Sequence, residues 1–228
     1  QNIKNRILLM GLSWRGETFM EMNPLDADAT TQLLQVNLPL RLAILDFFSP
    51  HTFTLGATYI HDDALKVSLD TEFQWWSRFD VNVARKEYMN NNGISFKKMQ
   101  NILLVRLGAE TKPGKYIPKL REIPLLVRGG FSYTPAFTPD QTSYSNFLDN
   151  DKIAYSLGAS YFLNSNSIVK APVEIIFGFQ HQIWLSRTSD KKGEVLTTTL
   201  PSSDPVNQPS YSYSAHVIVV SLGALMKF

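Results

Sequence analysis

The chain ends on "HVIVVSLGALMKF" (residues 216–228), and the spacing within this stretch decides how the rest is read. In steps of two, Ile218, Val220, Leu222, Ala224, Met226 and Phe228 fall on one face of a strand, and Val217, Val219, Ser221, Gly223, Leu225 and Lys227 on the other. The first face is wholly apolar and the second is mixed. From Ile218 to Phe228, at ~3.3 Å per residue and a tilt near 45°, the strand covers roughly 25 Å, the height of the apolar band of a transmembrane β-barrel.

The same period of two recurs upstream. In 151–163 ("DKIAYSLGASYFL") Ile153, Tyr155, Leu157, Ala159, Tyr161 and Leu163 share one face. In 173–186 ("VEIIFGFQHQIWLS") Val173, Ile175, Phe177, Phe179, His181, Ile183 and Leu185 do the same. Further strands read at about 122–135, 100–111, 64–76 and 5–21, with a proline-interrupted extended segment over 31–60 that is one long strand or a hairpin. Short connections (61–63, 112–121, 164–172) alternate with long polar ones (80–99, 136–150, 187–209), so the long loops gather at one end of the sheet. Trp75, Trp76, Tyr133, Tyr155, Trp184 and Tyr213 lie toward that end, and Tyr59, Tyr161 and Phe228 toward the other, as two aromatic girdles would. The expected fold is therefore all-β, an antiparallel transmembrane β-barrel. A soluble sandwich is the alternative, but it would not repeat so apolar a face opposite one made of Gly, Ser, Ala, Gln and charge.

Composition excludes several classes. The 228 residues carry a net charge of +2, and the 22 Lys and Arg are scattered rather than clustered, which argues against a nucleic-acid footprint. Without cysteine there is no disulfide framework and no thiolate site. The histidines (His51, His61, His181, His216) lack metal-ligand spacing, and none has a visible Ser and acid partner, so neither a metal, a cofactor nor a catalytic residue is expected.

Five stretches carry a family resemblance. In order, "LLMGLSWRGETFMEM" (8–22), "FQWWSRFD" (73–80), "VRLGAET" (105–111), "VRGGFSYTPAFTPD" (127–140) and "DNDKIAYSLGASYFL" (149–163), followed by a strand ending in Phe, resemble the carboxy-terminal part of the FadL/TodX family. Its members are outer-membrane transporters of long-chain fatty acids and other hydrophobic compounds. The resemblance implies a fourteen-stranded barrel, of which residues 1–228 form a single domain supplying eight strands, or nine if 31–60 is a hairpin. The amino-terminal hatch and early strands have no counterpart here. A longer chain or a second polypeptide would then complete the barrel, or the chain is a shortened relative, with the incomplete barrel the favoured expectation. The implied function is passive diffusion of a hydrophobic ligand such as a fatty acid across the bacterial outer membrane, among membrane lipids and lipopolysaccharide. A general porin or structural barrel, and less so a lipid-modifying enzyme, are the alternatives.

Residue roles follow from the parity. Asp70, Glu72, Arg106 and Arg128 point inward at about one depth on three consecutive strands, as an ion-pair ladder that either stiffens the wall or meets a plug or passing carboxylate. Lys152 and Glu174 line the lumen nearer opposite rims. Gly108, Gly130, Gly158, Gly178 and Gly223 sit in strand interiors, where glycine marks a kink or close approach. Trp76 and Trp184, inward at the outer rim, are ligand-contact candidates; the family resemblance further implies an external basic residue that meets the ligand carboxylate, for which Lys97 and Lys98, in the loop before the 100–111 strand, are the candidates. Phe228, Met226, Ala224 and Leu222 resemble the terminal signal read by the barrel assembly machinery.

Overall fold

A computed structural model describes residues 6–20, 28–33, 36–41, 47–80, 97–140, 148–163, 171–189 and 211–226. The chain is all-β. Eight strands form one antiparallel sheet: β1 (Arg6–Arg15), β6 (Thr52–His61), β7 (Leu65–Gln74), β8 (Ile102–Thr111), β9 (Leu125–Thr134), β10 (Lys152–Leu163), β11 (Val173–Ser189) and β12 (Tyr211–Met226). From β6 onward every strand pairs with its neighbour in sequence, the up-and-down meander of a barrel wall.

Between β1 and β6 the chain makes two small excursions. β2 (Thr18–Met20) pairs with β5 (Phe47–Ser49), and β3 (Asp28–Leu33) forms a hairpin with β4 (Val36–Arg41). The 31–60 segment is thus a hairpin, a short strand and a wall strand, not one long strand. The expected 5–21 strand likewise breaks at Gly16 and Glu17.

Burial settles which face is which. Leu157 belongs to β10, a strand paired on both sides, yet it is 62% exposed. Leu55, Leu69, Leu107 and Phe177 share its face and are exposed as well. An apolar face running across eight strands is larger than the patches soluble monomers commonly leave open to water and matches the lipid-facing band of a transmembrane barrel. The opposite face carries Thr54 opposite Glu72, Ser68 opposite Gly108, Arg106 between Asp70 and Ser132, and Ser156 opposite Gly130. The outward Leu222 and Ala224 of β12 and the inward Ser221 and Gly223 keep the expected parity, and Met226 closes the strand; Phe228 lies outside the described residues.

Three inward glycines leave room for a neighbouring side chain. A Cβ on Gly130 would come within 2.5 Å of Ser156 Oγ, and one on Gly178 within 2.5 Å of Ser221 Oγ. Gly56 similarly leaves space for the Asp70 carboxylate. Gly108 and Gly223 have nothing within 4 Å, so only open space faces them among the described residues.

β1 and β12 each pair with one neighbour only among the described residues. β11 and β12, of 17 and 16 residues, exceed the 9–11 residues of a membrane-spanning strand and continue past the apolar band at the long-loop end.

Candidate functional site

The site is built at the long-loop end of the inner face. β7 stops at Gln74, and a single 3-10 turn (Trp76–Arg78) follows it. This turn swings Trp76 across the rim, where it stacks on Phe137 with ring centroids 4.0 Å apart and planes 14° apart. Phe48 packs edge-on against Trp76 at 5.9 Å, and Phe79 and Phe19 lie against Phe48 at 5.4 and 6.5 Å. Five aromatic rings from four segments thus form one apolar cluster. Only Trp76 among them was legible as a ligand contact.

Phe137 is held there by hydrogen bonds. Its N–H donates to Asp149 Oδ2 at 2.8 Å, and its carbonyl accepts from Gln100 N at 2.7 Å. Asp149, 5% exposed, also accepts from Thr138 N and from Lys152 Nζ at 2.7 Å. Asn150, wholly buried, donates to the carbonyls of Leu185 and Tyr213, while Asp151 accepts from Ala136 N and the Tyr133 hydroxyl. The run "DND" (149–151) therefore fastens the start of the 136–150 loop to β9, β11 and β12.

Arg187 completes this knot, and strand parity hides it. The register of β11 on β12 shifts between Trp184 and Arg187, a bulge that keeps both side chains on the inner face although they are three residues apart. Arg187 then donates to Thr138 Oγ1, Thr138 O and Asp149 O at 2.9–3.1 Å, and to Asp140 Oδ1 at 3.4 Å. A strict period of two assigns Arg187 outward.

A polar track leads from the aromatic cluster down the inner wall. Trp76 Nε1 donates to Gln74 Oε1 at 2.7 Å, Gln74 Nε2 to Glu72 Oε1 at 2.6 Å, and Arg106 Nη1 to Glu72 Oε2 at 2.9 Å. Asp70 lies opposite Arg106 in register, but the guanidinium reaches Glu72. Register also corrects the single-depth ladder. Arg106 faces Ser132, whereas Arg128 faces Glu110, four residues further along β8 toward the short-turn end.

Arg128 belongs to a separate network. Its Nε donates to Glu110 Oε2 at 2.8 Å and its Nη1 to Ser160 Oγ at 2.8 Å, with Glu174 at 3.9 Å and Lys66 on the far side of Glu110 at 3.0 Å. Lys152 and Glu174 do fall at opposite ends, one in the knot and the other beside Arg128. Trp184 lies under the Lys152 ammonium at 5.0 Å, and its Nε1 has no hydrogen-bond partner among the described residues. Lys97 and Lys98 are exposed in the lead-in to β8, joined by no hydrogen bond or ion pair to a described residue.

Outside the wall, at the same end, His51 stacks between Trp14 (5.9 Å) and Trp75 (6.3 Å). Arg78 lies over the Trp75 ring and forks onto both oxygens of Glu17 at 2.7 and 3.0 Å. This hydrogen bond, first, and the guanidinium charge hold the Glu17 carboxyl below its ordinary range, and Arg78 is raised in return. His181 and His216 share the outward face, ring nitrogens 3.1 Å apart.

No family model matches the chain. Over 151 residues, 64% of its length, the chain is 27% identical to alkane uptake protein A of Marinobacter nauticus, a distant similarity. The matched stretch spans 31% of that protein's length.

Proposed function

We propose that this chain is part of an outer-membrane β-barrel of the FadL/TodX type that moves long-chain fatty acids or other hydrophobic molecules across the bacterial outer membrane by passive diffusion. The observation that carries the reading is the five-ring cluster around Trp76 and Phe137, a continuous aromatic surface at the rim of the inner side of the wall. A polar pore lining has no use for it, whereas an alkyl chain docking there gains about 25 cal/mol per Å² of surface removed from water. The distant similarity to an alkane uptake protein supports the same class of ligand. No bond chemistry enters this mechanism.

Among the described residues β1 and β12 each keep one backbone edge without a partner strand, which hydrocarbon does not tolerate, so further strands, from a longer chain or a second polypeptide, close the barrel in this reading. Lipopolysaccharide and membrane lipids cover its outer face. β12, with Leu222, Ala224 and Met226 outward, is the strand that the barrel assembly machinery engages in this reading.

A second reading, a water-filled porin, is favoured by the charged inner wall of Glu72, Arg106, Glu110 and Arg128. The two separate in one experiment on the protein extracted from its native membrane and reconstituted in liposomes. Uptake of labelled oleate or hexadecane that is lost in Phe137→Ala, with no open-channel conductance, supports the transporter. Steady conductance with uptake indifferent to Phe137→Ala supports the pore.

A further inference from the structure

The turn between β8 and β9 is a built element. Lys112 N–H donates to Ala64 O at 2.9 Å, and single 3-10 turns at Pro113–Lys115 and Pro118–Leu120 follow, tied by Tyr116 N to Pro113 O (3.0 Å) and Leu120 N to Ile117 O (2.9 Å). Gly114 is packed so closely that a Cβ would come within 2.6 Å of Leu120 O. With prolines at 113, 118 and 124 fixing φ, the segment holds its shape without an ordered partner.

Beneath it lies an open cavity of about 610 Å³. Lys112, Lys115 and Arg121 line it over an apolar floor that includes Ile123, Pro124 and Phe162, and among the described residues no carboxylate lines it. The adjoining cavity on the inner wall differs in balance. There Lys66, Lys112 and Arg128 meet Asp63, Glu110 and Glu174, three cations against three anions. Lys115 and Arg121 form no ion pair with a described residue. At the tip, Tyr116 and Ile117 are 55% and 48% exposed, an amphipathic pair suited to the boundary of a bilayer.

We propose that this cavity binds the phosphate headgroup of an anionic phospholipid, with the cations on the phosphate and the apolar floor under the first carbons of the acyl chains. The rigid turn presents the cations without ordering cost, and Tyr116 and Ile117 anchor it in the same leaflet. A free inorganic anion would satisfy the charges but leave the apolar floor wet.

The test uses the full chain extracted from its native membrane, reconstituted with phosphatidylglycerol and phosphatidylcholine in equal amounts, then stripped stepwise with detergent. Bound lipid is counted by native mass spectrometry, and folding is checked by heat-modifiable migration. The wild type is expected to retain phosphatidylglycerol, and Lys115→Gln/Arg121→Gln to retain it about thirtyfold less tightly, the loss of two near-surface charges. Lys119→Gln, on the same turn but off the cavity, is expected to keep it. Equal retention in the double variant overturns the site, as does equal loss in Lys119→Gln, which would mean diffuse attraction. Displacement of the lipid by millimolar inorganic phosphate overturns the headgroup assignment.

Discussion

At the long-loop end the guanidinium of Arg187 is saturated by Thr138, Asp149 and Asp140, and Arg78 is forked onto Glu17. At the short-turn end Lys112, Lys115 and Arg121 line a cavity that has no carboxylate among the described residues. The first end also gathers aromatic rings around Trp76, while the second exposes Tyr116 and Ile117 at the tip of a proline-braced turn. Where charge is neutralised inside the protein, the surface is left free to meet something apolar. Where charge is left over, the partner has to supply the opposite sign. The two rims thus differ in what they ask of a ligand.

The largest expected effect comes from breaking the knot at the first end. Asp149→Ala removes the acceptor for Phe137 N, Thr138 N and the Lys152 ammonium together, stranding a mostly buried cation. A loss of about 3 kcal/mol in stability is expected, read as a lower urea midpoint in detergent, with ligand uptake falling too because Phe137 is no longer held. Unchanged unfolding would show that the knot is ornamental to the wall.

Trp76→Ala is the next step down and sharpens the contrast by sparing the knot. It opens the ring stack without removing an ion pair, so the fold is expected to persist while apparent affinity for oleate drops about tenfold, roughly the value of one stacked aromatic contact. Equilibrium binding of a fluorescent fatty acid by the reconstituted protein reads this directly. Equal binding would move the docking surface elsewhere on the rim.

The wall between the ends offers a test of independence. Arg106 pairs with Glu72, and Arg128 with Glu110, at levels four residues apart along β8. Both guanidinium groups are substantially exposed, so Arg106→Ala and Arg128→Ala are each expected to cost ~0.5–1 kcal/mol, with Arg128 at the upper end for its added contacts to Ser160 and Glu174. Their effects should add in the double variant, because no partner is shared. A coupling term in the double-variant cycle would revive the single ladder.

What the sequence made legible was whatever obeys a period of two. The eight wall strands, the outward Leu222 and Ala224 and the inward Arg106 and Glu174 all follow from parity alone. Two kinds of feature did not. Depth depends on register, which side-chain alternation leaves free by steps of two, so alternation alone sets Arg128 level with Arg106. Loop-borne contacts depend on where a chain returns, so Phe137, Phe48 and Asp149 carried no periodic mark. Arg187 combines both difficulties: it stands beyond a bulge, and its partners Thr138 and Asp149 arrive from a loop. The run "DND" before β10 was the one available signal, since three consecutive strong hydrogen-bonding side chains at a strand entrance seldom go unused.

The smallest effect concerns Glu17 and Arg78, outside the wall. Because Arg78 holds the Glu17 carboxyl below its ordinary value of about 4.3, the unfolded chain binds this proton more readily than the folded one. Its contribution to stability is therefore present above that ordinary value and is lost as pH falls through the lowered folded one. Glu17→Gln should slightly lower the unfolding temperature at pH 7 and flatten this part of its decline toward pH 3, leaving wild type and variant alike in acid. Arg78 stays over the Trp75 ring at 5.5 Å in either case, so uptake should not change. If uptake did fall with the melting curve unmoved, the neutralised charge at the long-loop end would be handling ligand rather than freeing the aromatic rim to do so, and the contrast between the two ends would lose its basis.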